Sequence, residues 1–92
     1  MVVQGRDEAA EASALIDAWI EPDPYRSGAA DVRIREYGVH IWALIGHLLG
    51  VDGDVDQVAQ DYVIPVDAVR AAQAFYARHT TIIDARIAAN AT

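Results

Sequence analysis

Asp54–Tyr76, "DVDQVAQDYVIPVDAVRAAQAFY", reads as two helices joined by a tight apolar turn. Asp54 and Gln57 stand in the Ncap and N3 relation of a capping box, followed by the apolar pair Val55 and Val58, so a helix starts at Asp54. It ends near Tyr62, because Pro65 suits the first turn of a second helix and Asp67 favours that helix's positive end. Ala59, Val63 and Val69 have the spacing of a helix-turn-helix. In that arrangement a small residue packs between the helices, an apolar one fills the turn and a third anchors the second helix. Whether such a pair meets DNA or only builds a core depends on its exposed residues. Pro65, Val66, Asp67, Ala68 and Arg70 would lead into the groove, and they supply one cation, one anion and little hydrogen bonding.

The second helix continues an apolar stripe through Val69, Ala72, Tyr76, Ile83 and Ile87. Unbroken to about Asn90 it would be nearly 40 Å long at about 1.5 Å per residue, more than so small a domain covers. Either it bends near Thr80 and Thr81, whose β-branched side chains are weak helix formers, or its end packs on another chain. Ile82 and Ile83 cannot both face one core. The pattern therefore predicts a homodimer held by Tyr76, Ile82, Ile83 and Ile87, against the alternative of a tail folded back on Leu15 and Trp19.

Towards the N-terminus, "RDEAAEASALIDAWI" places Ala12, Leu15, Ile16 and Trp19 on one helical face, with Asp7 and Glu8 in the first turn. "EPDP" stops that helix at Pro22 and Pro24, and "YRSGAA" forms a loop. "VRIREY" alternates Val32 and Ile34 with Arg33 and Arg35, the pattern of a short strand. After Gly38, "VHIWALIGHLL" is apolar nearly all round and should be the most buried helix. The expected fold is mainly α: a small helical bundle with a helix-turn-helix-like core and one short extended segment. Residues 1–30 form the N-terminal amphipathic helix and Pro-rich connection, and residues 31–92 the helix-turn-helix-like domain with its long C-terminal helix.

Composition restricts the function classes. Ninety-two residues, 53% of them hydrophobic, make one modest core. The longest apolar run falls well short of the roughly 20 residues that span a bilayer. The acidic start of the chain lacks the positive and apolar regions of a signal peptide, and with no cysteine present the expected location is the cytoplasm. The net charge of -7, from seven arginines, no lysine and 14 acids, repels phosphate, so DNA binding would need a local patch. The basic stretch is Arg26, Arg33 and Arg35, against Asp31. Two strand arginines, doubled in a dimer, could lie in a groove as a β-ribbon does. The competing reading is of solvated arginines paired with acids, and Arg70 is the one cation the second helix offers.

Other candidate chemistry is thin. "DGDVD", Asp52–Asp56, resembles the start of a calcium loop but has Gln57 at the glycine position and Val63 at the bidentate-glutamate position, and helix capping accounts for Asp54. The same acids with Asp61 lack a partnering base for a nuclease magnesium site. His40 and His47 lie two helical turns apart, roughly 10 Å, too far to share a metal, and read as partner-facing or solvent-facing. Tyr37 and Trp42 read as core aromatics, and neither Ser13 nor Ser27 has a nucleophile motif. No enzyme, metal or cofactor is expected.

From Trp19 onward, about four fifths of its length, the chain resembles a bacterial family, the DUF family numbered four hundred and thirty-three. Members of that family are related to VapB-type antitoxins and are often encoded beside a PIN-like toxin. "WIEPDPYRSG", "VRIREYGVHIWALIGHLL" and "DVDQVAQDYVIPVDAVRAAQAFYARH" carry the resemblance. Where the family has Gly-Thr-Arg and then Ile-Pro-Val, this chain has Glu36, Tyr37 and Gly38, then Val39, His40 and Ile41. The resemblance implies a helix-turn-helix-like fold and an antitoxin-like interaction protein that pairs with a PIN-like nuclease toxin, with autoregulatory binding to operator DNA beside it. The alternative is a dimeric structural or adaptor domain without DNA binding.

Overall fold

The computed structural model describes residues 4–91 and, within the first helix, side chains from Glu8 onward, so Asp7 lies outside the described side chains. Five helices surround one core: α1 (Gln4–Trp19), α2 (Ile41–Gly50), α3 (Val55–Tyr62), α4 (Val66–Arg78) and α5 (Thr80–Asn90). β1 (Ile20–Glu21) and β2 (Arg33–Ile34) pair antiparallel, and a 3₁₀ turn at Ala29–Asp31 lies between them. Ile16, Trp19, Ile20 and Ala29 pack on the same cluster as Ile34, Leu44, Val69 and Ile83, so the front and back of the chain share one core. The mainly α fold matches the expectation, and no described helix is long and apolar enough to cross a membrane.

α4 is the centre. Ala68, Val69, Ala71 and Ala72 are fully buried and Phe75 nearly so, and α1, α2, α3 and α5 all lie against it. Three alanines on one helix let neighbouring backbones approach closely at no cost in helix propensity. α1 runs antiparallel along α4: Arg78 at the end of α4 donates to the carbonyl of Ala9 at 3.1 Å and to Ser13 Oγ at 3.0 Å, while Ala18 and Trp19 share a groove with Asp67 and Arg70.

The extended segment is shorter than its alternation suggests. After Ile34 the chain turns through Arg35, Glu36 and Tyr37, with Glu36 and Gly38 both at positive φ. It then returns antiparallel: Ile34 N–H donates to Val39 at 2.7 Å and Ile41 N–H to Val32 at 3.1 Å. Val39 and His40 are therefore extended, and the buried helix begins at Ile41.

The turn between α3 and α4 departs from expectation by one residue. Val63, expected to fill it, is 82% exposed, and Ile64, at 7%, takes the core position. The cause is the way α3 ends. Val63 sits at φ 55, ψ 51, and Val63 N–H donates to Gln60 at 3.3 Å and Ile64 N–H to Ala59 at 3.0 Å. That is the Schellman closure, whose left-handed residue points outward and whose next residue folds onto the helix. At the other end Asp54 caps the Gln57 N–H at 3.1 Å as expected, but the reciprocal half of the capping box is absent. Gln57 Nε2 reaches Asp61 at 2.7 Å instead, and Asp54 N–H donates to Val51 at 3.2 Å.

The long C-terminal helix is two helices. α4 stops at Arg78, and His79, at φ -135, ψ 38, turns the chain. Thr80 Oγ1 donates to the Tyr76 carbonyl at 2.8 Å, the acceptor that a continuing helix would have given to its own Thr80 N–H. α5 then packs on α2 and the 3₁₀ turn, not on the N-terminal helix around Leu15 and Trp19. This corrects the expected dimer stripe. Ile83 is fully buried in its own chain, Tyr76 and Ile87 pack against the same core, and of the two adjacent isoleucines only Ile82, 45% exposed, faces outward.

Two stability outcomes follow. Ile83→Asp, which puts a carboxylate into a closed core, should cost at least about 3 kcal/mol in urea unfolding followed by circular dichroism, while Ile82→Asp should cost less than about 1 kcal/mol. Val63→Gly removes a β-branched side chain from the left-handed region, where the cost is about 1–2 kcal/mol. The gain is partly offset by glycine's freedom in the unfolded chain, so the unfolding free energy should rise by a net of about 0.5–1 kcal/mol, read as a higher urea midpoint.

Candidate functional site

Arg33 and Arg35, the residues expected to meet DNA, sit where β1 and β2 meet the end of α1. Arg33 lies opposite Glu21 in the ladder and its Nε donates to Glu21 Oε2 at 2.7 Å. Arg35 reaches back to the C-terminus of α1. It donates from Nη2 to the Ile20 and Asp17 carbonyls at 3.0 and 3.4 Å and from Nε to the Ala18 carbonyl at 3.3 Å, and its Nη1 stands 3.8 Å from Glu21. A cation is favourable there because the last carbonyls of a helix lack intrahelical donors and sit at its negative end. The pair thus ties α1 to the β ladder, the arrangement of edge-strand arginines paired with acids.

The remaining candidates are separate from that pair and from each other. Arg26, 63% exposed, stands 3.9 Å from Asp31, and Arg70, 60% exposed, stands 3.6 Å from Asp67 on its own helix. Arg78 holds α1. Sequence reasoning passed over both Arg78 and Arg86; Arg86 stands 3.0 Å from Asp31 and stacks 5.7 Å over the Trp42 ring, joining α5 to the 3₁₀ turn and α2. Its position between Ile83 and Ile87, an arginine inside an apolar stripe, is the signal for such a role. Every arginine from Arg26 to Arg86 is engaged within the chain.

The second helix of the helix-turn-helix is no freer. Only a strip through Asp67, Arg70, Gln73, Ala77 and Arg78 is exposed on α4. The C-terminal end of α1 lies beside its first turns, the part that reads base edges when such a helix enters a groove.

The histidines face acids. His40 Nε2 lies 2.9 Å from Asp23 Oδ2 and its ring stacks near Trp42, while His47 Nε2, in the last turn of α2, lies 2.8 Å from Asp61 Oδ2 on α3. Asp23 also accepts from the backbone N–H groups of Tyr25 and Arg26 at 2.7 and 3.1 Å, closing the loop after Pro22. The Tyr25 N–H and then His40 hold the Asp23 carboxyl below its ordinary value, and His47 and then Gln57 do the same for Asp61. The Tyr76 hydroxyl donates to Asp84 at 2.7 Å, across the α4–α5 break, and that carboxylate pushes the phenol upward.

Comparison of the chain with family models, with curated proteins and with solved structures finds no match in any of the three.

The pKa directions fix the sign of two pH dependences. Asp23 and Asp61 are depressed in the folded state, so their contribution is complete above the unfolded value near 4 and lost as pH falls through the folded values. Asp23→Asn with Asp61→Asn should flatten the acid limb of a stability-against-pH curve. Tyr76 is raised, so its contribution is complete below about pH 10 and lost as pH rises through the folded value, and Tyr76→Phe should remove that part of the alkaline limb. Arg35→Ala, which uncaps α1, should lower stability by about 1 kcal/mol, with α1 amides losing hydrogen-exchange protection before those of α4.

Proposed function

We propose that the chain is an antitoxin-like interaction module that acts by binding a protein partner, of the PIN-like nuclease kind that the family resemblance implies, and not by reading operator DNA. It performs no catalytic step and takes no cofactor. The observation that carries the reading is the place of α4 at the centre of the core, with α1 along the flank that a recognition helix would need free. The charges support it: Arg26, Arg33, Arg35 and Arg70 each stand beside an acid, and the net charge of -7 opposes phosphate. The homodimer through Tyr76, Ile82, Ile83 and Ile87 is not part of this reading, since Ile83 is closed inside the protomer.

Co-expression with the product of the neighbouring gene tests it. A stoichiometric complex in which ribonuclease activity is suppressed is expected, with no gel shift of the upstream duplex at physiological salt. A sequence-specific shift abolished by Arg33→Ala with Arg35→Ala, or by Arg70→Ala, would overturn it.

A further inference from the structure

The corner formed by α3, the Val63–Pro65 turn and the start of α4 is the part of the surface that packing explains least. Val63 stands 82% exposed in a left-handed conformation that a β-branched residue disfavours, so a valine there serves neither the backbone nor the core. Beside it an open groove runs between the two helices, floored by Ala59 and Ile64 and edged by Pro65 and Val66, with the Asp54 and Asp56 carboxylates along its rim. No arginine lines the groove and α3 carries none, while Arg70, the first on α4, is paired with Asp67.

We propose that this corner docks a cationic segment of a protein partner, an arginine- or lysine-bearing stretch whose apolar residue sits on Val63. The proposal deepens the interaction reading and rests on it for the existence of a partner. Charge decides among the occupants. A phosphate backbone would meet Asp54 and Asp56 at the very corner that a helix-turn-helix presents to DNA, and a second copy would bring the same acids against themselves, each on a chain of net charge -7. A segment with alternating cations and an apolar side chain gains on both counts, since its charges meet the rim and its apolar residue covers Val63 and the groove floor.

Amide-shift mapping on the whole, isotope-labelled chain tests this. The probes are a peptide alternating arginine and leucine, its glutamate-for-arginine counterpart, and a DNA duplex. The arginine peptide should move amides between Val55 and Val66, with an affinity that falls as salt rises, and the other two should leave them in place. Val63→Ser should weaken that binding about tenfold and Asp56→Asn severalfold, with thermal melts confirming that both variants fold. Shifts spread evenly over the faces bearing Glu11, Asp17 and Asp84, unchanged affinity in Val63→Ser, or equal shifts with DNA would each overturn the proposal. If Val63→Ser with Asp56→Asn still forms the complex with the neighbouring gene product, the corner is wrong while the interaction reading stands. If the unmutated chain forms no such complex yet the arginine peptide maps to the corner, the docking surface stands and the antitoxin reading falls.

Discussion

The burial of α4 is the constraint on which the rest of this structure depends. One helix of thirteen residues contributes five buried side chains, three of them alanine, and four other helices are arranged around it. Small side chains bring the neighbours close, so α1 can lie along α4, and an arginine at the end of α4 is near enough to bond the α1 backbone. The arrangement also limits the length of α4. A continuous helix beyond Arg78 would carry Ile83 and Ile87 past the body of the domain, whereas a turn at His79 returns them to α2 and the 3₁₀ turn.

Much of this was legible in the sequence where a local signal had one meaning. Asp54 as a cap, Pro65 as the start of a helix, and Ala12, Leu15, Ile16 and Trp19 as an inward face follow from capping chemistry and period; the structure has the cap and the helix start, and leaves the four α1 residues half-buried with Ile16 and Trp19 packed on the core. The break at His79 was only half legible. Thr80 and Thr81 weaken a helix, but the apolar stripe resumes at Ile83 two turns after Tyr76, and the local hydroxyl bond from Thr80 to the Tyr76 carbonyl is a choice that periodicity does not register. Val63 and Ile64 exchanged places for a related reason. Helix period puts Val63 inward four residues after Ala59, and the left-handed residue of the closure shifts the phase by one.

The candidate site was less legible than the fold because charge partners lie far apart in sequence. The alternation around Ile34 identifies Arg33 and Arg35 as outward residues of a strand, yet nothing local shows that Glu21 stands opposite one of them or that the end of α1 receives the other. The same holds for Arg86 and Asp31, separated by most of the chain. These pairs are exposed or half-exposed, and each contributes modestly to stability. Their larger effect is on the surface field, because arginines held against carbonyls and carboxylates leave the surplus acids without a free counter-charge among the described side chains.

That surplus bears on what a helix-turn-helix arrangement can recognise. The two-helix corner is a general way to present a short turn beyond the body of a domain, and its chemistry is set by the turn and the rim, not by the helices. Backbone N–H groups, arginines and small polar residues at such a corner suit a phosphate backbone. Here the turn offers an exposed valine and proline, and α3 offers only acids and amides among its outward polar groups. With α1 closing one flank of α4, the geometry that would let the helix enter a groove and the charges that would hold it there are absent together from the described residues. The two departures have separate causes, one in packing and one in surface charge, and both fall at the same two-helix corner.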